Sequence, residues 1–121
     1  MKQPGPDHPI ALEPAGKRVR VVLGGVIVAE TTRALTLKEA ALAPVHYIPR
    51  EDVAMDLLDR SDHASHCPYK GDAAYFTVTA GGVTARNAAW TYEAPFAAVA
   101  GIAGRIAFYP HKVDAIEELG S

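Results

Sequence analysis

The chain has 121 residues, with 12 Lys or Arg against 14 Asp or Glu, and its formal net charge is −2. A chain of this length forms one domain and can bury a hydrophobic core without disulfides or structural metals. Because proteins that grip phosphate backbones are usually basic, the charge argues against nucleic acid as a partner.

Cysteine content and hydropathy exclude further classes. The single cysteine, Cys67, allows neither an internal disulfide nor a zinc site of four cysteines or of two cysteines and two histidines. The longest apolar runs, such as residues 96–100, are far shorter than the roughly 20 residues of a membrane span. Residues 1–9 contain no apolar signal-peptide core. We therefore expect a cytoplasmic protein with no membrane partner, no metal and no cofactor.

The chain begins with a proline-rich segment. Residues 1–16 contain four prolines and two glycines, and proline disfavours helix both at its own position and at the one before it. We predict an extended arm over residues 1–17, anchored through Ile10 and Leu12, followed by a single domain over residues 18–118.

The first half of that domain has the pattern of short strands. Val19, Val21 and Leu23 alternate with polar or smaller positions, and Gly24-Gly25 then separates two apolar runs, which is typical of a β-hairpin. The other predicted elements here are strands at 34–38 and 45–48, a helical turn at 39–43, and a short strand or helix at 53–58.

The second half contains a polar segment between longer strands. Residues 59–72 show little regular pattern, so we predict a loop. The elements predicted after it are strands at 73–79 and 83–92 joined through Gly81-Gly82, a short helix beginning at Pro95 with Phe96, Val99, Ala100 and Ala103 on one face, and strands at 105–109 and 112–117. The sequence thus predicts a mainly β fold, a small antiparallel β domain with one or two short helices.

Most of the reactive side chains lie within residues 61–72, for which three chemistries can be considered. A metal site is the first, since His63, His66 and Cys67 are metal-ligand types. Its remaining ligands would come from Asp62, Asp72 or His46. No Cys-x-x-Cys half-site occurs, so the pattern favours a polar loop with hydrogen-bonded imidazoles.

A nucleophilic thiol and an anion site are the other two. Cys67 could be activated by His63 or His46, although a lone cysteine is more often a small buried hydrophobe. Lys70-Gly71 suits anion binding because glycine lets backbone amides approach a ligand. No Walker or Gly-x-Gly-x-x-Gly motif is present.

Aromatic side chains offer a pocket wall. Trp90 and Tyr92 share one face of a predicted strand by the period of two, and Tyr47 is a further candidate. Aromatic rings beside a few polar groups are typical of ligand sites, while ordinary core packing is the alternative.

Four segments together resemble a known family. They are the central string from His63 to Tyr75, which includes Cys-Pro-Tyr-Lys-Gly, the segment from Asn87 to Pro95, Ile106-Ala-Phe-Tyr-Pro110, and the upstream Tyr47 to Val53. In this order they resemble the domain of unknown function 427 family from about Arg18 to Glu117. The resemblance implies a small β domain of the β-tent type.

The resemblance also bears on chemistry. Relatives of β-tent topology often hold zinc through paired Cys-x-x-Cys motifs, which this chain does not have. Some labels in the family suggest nucleotidyl transfer, whose lysine nucleophiles occur in a Lys-x-Asp-Gly order. The order Lys70-Gly71-Asp72 does not match it.

Two functions of different classes follow. The first is a binding module or enzyme with a pocket for a polar small molecule or anion around the Cys-Pro-Tyr-Lys-Gly loop. Its candidate ligand-binding residues are Lys70, His66, Cys67, Tyr69, His63, Asp72, Tyr47, Trp90 and Tyr92. The second is a structural or interaction protein in which that loop only stabilises the fold, with Lys70 paired to Asp62, Asp72 or Glu93. Exposed strand edges also predict a two-fold homodimer.

Overall fold

The computed structural model describes residues 1–120, and ten strands account for most of the regular structure. In chain order they are β1 Ile10–Pro14, β2 Arg18–Leu23, β3 Val26–Thr31, β4 Leu35–Glu39, β5 Val45–Tyr47, β6 Leu58–Cys67, β7 Gly71–Ala80, β8 Val83–Tyr92, β9 Ala107–Phe108 and β10 Ala115–Leu119. Three short 3-10 segments complete the set: Arg50–Asp52, Met55–Leu57 and Ala97–Ile102.

The strands form three antiparallel sheets. Their orders are β1-β4-β5, β10-β2-β3 and β6-β7-β8-β9. Within residues 1–120 no helical segment is longer than six residues, and none has the length and apolar content needed to cross a membrane. The prediction of a mainly β, antiparallel fold is confirmed.

Both predicted glycine hairpins are present, and their tips touch. Gly24, Gly25, Gly81 and Gly82 all have positive φ angles, as the tight turns between β2 and β3 and between β7 and β8 require. A Cβ atom at Gly81 would lie 1.9 Å from the carbonyl oxygen of Gly24. Glycine at this position therefore serves the contact between hairpins as well as the turn.

The prediction of a loop over residues 59–72 is wrong. Most of it is β6, a ten-residue edge strand that pairs with β7. Its side chains are largely exposed on both faces, so the sequence shows no alternation. The pairing register also shifts between Arg60 and Ala64, which interrupts the periodicity further.

The helical segment after Pro95 is short, and the side chains that it buries are not those of the predicted face. Ala97–Ile102 is a 3-10 segment with non-helical angles at Val99. Val99 and Ile102 are buried, whereas Ala100 and Ala103 are exposed. The spacing of three between the buried residues fits the three-residue turn of a 3-10 helix.

The N-terminal segment is joined to a sheet. Ile10–Pro14 forms β1 and pairs with β4, with Leu12 opposite Leu37. The amide of Ala40 donates to the carbonyl of Pro9 at 2.8 Å, so the pairing extends just beyond the strand. This contact places His8 next to the end of β4.

Buried side chains form two groups. The first is aliphatic, includes Val21, Val28 and Val78, and packs the β2–β3 hairpin against β7 and β8. The second is aromatic and includes Tyr47 and Trp90. The aromatic group borders the cavity described next.

Candidate functional site

A cavity of about 590 Å³ opens beside the aromatic group. Its walls come from β2, β4, β5 and β7 to β10, together with residues 42–44 and Lys70. A volume of several hundred Å³ is in the range of small-molecule sites, which are mostly apolar with a few placed polar groups.

One wall is built from the rings of Tyr47 and Trp90. Strand pairing places β5 beside β4, and the period of two in β8 turns Trp90 and Tyr92 to the same side. The indole Nε1 of Trp90 donates to the hydroxyl of Tyr47 at 3.3 Å, and the two rings meet edge to face. Burial raises the pKa of Tyr47 to about 12, although the Trp90 hydrogen bond acts in the opposite direction. Tyr47 is therefore neutral and held in place.

Tyr92 adds a phenol side chain to the cavity lining. The residue is only 6% exposed and lines the cavity wall. Burial raises its pKa. Among the side-chain hydrogen bonds of residues 1–120, the Tyr92 hydroxyl has no protein partner. It is thus a neutral donor and acceptor available to a bound molecule.

A chain of hydroxyl groups lies along another wall. Ser65 and Tyr75 are hydrogen-bonded at 2.9 Å, and the hydroxyl of Tyr109 donates to that of Tyr75 at 3.4 Å. Burial and the Tyr75 contact both raise the pKa of Tyr109. The Tyr109 ring also packs on Trp90, with centroids 4.4 Å apart. This wall offers apolar ring surface with hydroxyls at one end.

Lys70 and Glu39 are the charged pair in the cavity lining, and His8 contacts Glu39 from outside that lining. Lys70 and Glu39 form an ion pair in which the side chains are 11% and 9% exposed. The second carboxylate oxygen of Glu39 contacts the Nε2 of His8 at 2.7 Å. Burial alone would raise the pKa of Glu39, but the hydrogen bonds from Lys70 and His8 outweigh it and lower that pKa. Glu39 is therefore an ionised, doubly bonded carboxylate in the cavity wall.

The backbone around Lys70 is fixed by three hydrogen bonds. The amide of Lys70 donates to Cys67, the amide of Phe96 donates to the Lys70 carbonyl, and the amide of Lys2 donates to Pro68. The turn between β6 and β7 then continues into Gly71, whose φ of +111° is easily adopted only by glycine. The position of the ammonium group thus follows from the whole turn.

A second polar pair, His46 and Glu118, belongs to the cavity lining. His46 contacts Thr36 through Nδ1 at 2.8 Å and Glu118 through Nε2 at 2.8 Å. Hydrogen bonds from His46 and Lys17 lower the pKa of Glu118. His46 and Glu118 both line the cavity, so the lining contains a second acid and base besides Lys70 and Glu39.

The sequence was compared with known families and curated proteins. The family model described as Domain of unknown function (DUF427) matches residues 11–119 of the 121-residue chain. The chain belongs to the DUF427 family. No curated protein matches it significantly.

The structure of this DUF427 protein brings four of the nine candidate residues to the cavity, namely Lys70, Tyr47, Trp90 and Tyr92. Lys70 is paired with Glu39, not with the Asp62, Asp72 or Glu93 considered from the sequence.

The other five candidates lie outside the cavity lining. They are His63, His66, Cys67, Tyr69 and Asp72. His66 pairs with Asp72 at 2.7 Å on the surface, where their side chains are 58% and 88% exposed. Tyr69 stacks on His8, the His63 ring packs on the Tyr75 ring, and the half-buried Cys67 packs against the aromatic group. Residues adjacent in sequence were separated because neighbours in a strand point to opposite faces.

Metal ligands do not assemble within residues 1–120. No group of three or more His, Cys, Asp or Glu side chains is placed to hold an ion there. His63, His66 and Cys67 are thus not gathered into one site.

The ligand-binding candidates named from the sequence omit five polar cavity residues of this DUF427 protein: Glu39, His46, Tyr75, Tyr109 and Glu118. Glu39 had a usable signal, because it follows Leu37 by two positions and thus shares its buried face. The prediction of a helical turn over residues 39–43 obscures this alternation, since Glu39 is the last residue of β4. No local pattern in the sequence places Tyr75 and Tyr109 in the same wall.

Proposed function

We propose that this DUF427 protein binds a small organic molecule in the aromatic cavity. The molecule would have a flat or apolar body and an oxygen acceptor such as a carbonyl or carboxylate. The body lies against Trp90 and Tyr109, and the acceptor group faces Lys70 and the hydroxyl of Tyr92.

One observation carries the proposal: Lys70 has more donors than partners. An ammonium group carries three N–H donors. Among the side chains of residues 1–120, only Glu39 accepts a hydrogen bond from Lys70. The Lys70 side chain is only 11% exposed, so water has little access to the remaining donors. Leaving donors of a charged group unused away from water is costly, so a ligand oxygen in the cavity would be favourable.

The charge of the pair narrows the ligand class. Because Glu39 already neutralises Lys70, the acceptor need not carry a full negative charge. The aromatic walls then contribute the larger apolar contact. We therefore expect the acceptor group of the ligand to be a neutral carbonyl or a single carboxylate. We do not expect a multiply charged anion.

A structural role of the loop is the second candidate. The same ion pair ties the turn between β6 and β7 to β4, and Phe96 and Lys2 bind the backbone of that turn. In this case Lys70 stabilises the fold and the cavity holds water.

We further propose that a second copy of the chain covers β6. This strand pairs with β7 on one side only and is ten residues long. Long unpaired strand edges are commonly covered, and two-fold pairing is the simplest way for one chain to do so.

The ligand proposal is tested by melting temperature with three compounds: benzoate, benzamide and phenyl phosphate. A ligand at about 100 times its Kd adds roughly 2.7 kcal/mol to the free energy of unfolding. We expect at least one of the first two to raise the melting temperature in a saturable way.

Two variants locate the effect. Val45→Phe places a bulky aromatic ring in the cavity wall and should abolish the rise in melting temperature. Tyr69→Phe changes a residue outside the lining and should retain that rise. No rise with any compound, or a rise that persists in Val45→Phe, would overturn the proposal and favour the structural role.

A further inference from the structure

A second cleft, of about 310 Å³, lies on another part of the surface. It is lined by Pro49, Arg50, Glu51, Ala103, Gly104 and Arg105, none of which lines the aromatic cavity. Two arginines therefore face one small space from two different segments of the chain.

The charges at this cleft do not balance. At the cleft and in the ion pairs beside it there are four guanidinium groups and three carboxylates: Arg33, Arg50, Arg60 and Arg105, and Glu51, Asp52 and Glu93. Each carboxylate is within 4.0 Å of Arg33, Arg50 or Arg60. Among residues 1–120, Arg105 has no carboxylate at ion-pair distance.

Carbonyl groups hold Arg105 instead. Its Nε donates to Gly101 at 3.2 Å, and its Nη1 donates to Arg33 at 2.8 Å and to Tyr47 at 3.4 Å. These bonds fix the plane of the guanidinium but use none of the donors on Nη2. The guanidinium of Arg105 is thus partly buried and oriented, its Nη2 donors are unused, and no carboxylate in residues 1–120 forms an ion pair with it.

Arg50 approaches from the other side of Gly104. Its Nε donates to the Gly104 carbonyl at 2.6 Å and its Nη2 to Glu93 at 2.6 Å, which leaves both donors of Nη1 without a partner in residues 1–120. The space above Gly104 is open, since a Cβ there would meet no atom within 4 Å.

We propose that this cleft binds an oxyanion, a carboxylate or phosphate group, between Arg50 and Arg105. Two oriented guanidinium groups with free donors match the planar, multidentate contacts that these anions accept. The anion would also give Arg105 a direct ion-pair partner, since Glu51 and Asp52 pair with Arg33. This site is separate from the aromatic cavity and does not depend on the function proposed for it.

The test is a titration followed by backbone amide NMR shifts at constant ionic strength. Inorganic phosphate and acetate are the two compounds, and chloride is the background anion. We expect saturable shifts at Ala103, Gly104 and Arg105. Saturation with phosphate alone assigns a phosphate group, and saturation with acetate alone assigns a carboxylate.

Two arginine variants separate a site from general charge screening. Arg50→Gln should weaken binding at least tenfold, whereas Arg18→Gln removes a half-exposed arginine on β2 and should leave it unchanged. Arg50 is substituted instead of Arg105 because Arg105 donates to three backbone carbonyls, and its loss would also disturb the fold. Shifts that rise linearly with either anion, or that are equal in both variants, would overturn the proposal.

Discussion

At the scale of single residues, Lys70 and Glu39 connect the fold to the cavity. They are 31 positions apart in the chain and meet because β1, β4 and the turn after β6 converge there. Their charges are mostly removed from water. Breaking such a pair leaves one charge buried and unmatched, which costs more than the intact pair contributes.

Lys70→Met should therefore be strongly destabilising. We expect a loss of about 3–5 kcal/mol in the free energy of unfolding, because Glu39 keeps only His8 as a partner. Urea denaturation measures this. Lys38→Met is the matched control, since Lys38 pairs with Glu13 at 2.6 Å where both side chains are about half exposed, and it should cost no more than about 1 kcal/mol. Equal losses in both variants would show that the Lys70 pair is solvated.

Glu39 also predicts how stability depends on pH. Its pKa is lowered in the folded state, so its contribution is complete above the unfolded pKa of about 4.3 and is lost as the pH falls through the folded pKa. The free energy of unfolding should fall with acid below about pH 5, and Glu39→Gln should flatten that fall. Glu13→Gln, which removes a half-exposed carboxylate paired with Lys38, is the control and should leave that fall nearly unchanged. If the free energy of unfolding of Glu39→Gln falls with acid as steeply as that of the unchanged protein, Glu39 is not the group responsible.

At the scale of elements, the two glycine hairpins depend on each other. A Cβ at Gly81 would clash with the carbonyl of Gly24, whereas a Cβ at Gly82 would meet nothing within 4 Å. Both residues have positive φ, at +57° and +79°, so alanine brings similar backbone strain to each.

Gly82→Ala should accordingly cost about 1 kcal/mol, and Gly81→Ala about 2 kcal/mol more. The difference arises because the hairpin tips must separate to admit the methyl group. Thermal or urea unfolding of the two variants side by side gives the comparison. If the two losses are equal, the tips are not in contact in solution.

The elements also show what sequence alone can predict. The Gly-Gly turns and the shared face of Trp90 and Tyr92 were predictable because each depends only on neighbouring residues. β6 was not, because an edge strand with two exposed faces has no apolar alternation. The pairing of Lys70 with Glu39 depends on how separate sheets meet, and no local pattern in the sequence specifies that.

At the scale of the whole molecule, β6 bears on the state of association. If two copies pair through this edge, sedimentation at micromolar concentration should give about twice the single-chain mass of 12.9 kDa. Ala64→Pro removes a backbone donor from the strand and should weaken the pairing. A mass that stays at that of one chain would rule out the dimer.

The chain offers a direct reporter for the cavity, because Trp90 is its one tryptophan and lies in the cavity wall. A molecule bound against the indole must change its environment. Emission of Trp90 during titration with benzoate or benzamide therefore measures occupancy at the proposed place, independently of stability.

We propose that this DUF427 protein binds a small organic molecule against Trp90, with an acceptor group of that molecule at Lys70. We predict a saturable change in Trp90 emission with the same Kd as the thermal shift, and its loss in Val45→Phe. A rise in melting temperature at constant Trp90 emission would place binding elsewhere and contradict the claim, as would no change in either quantity.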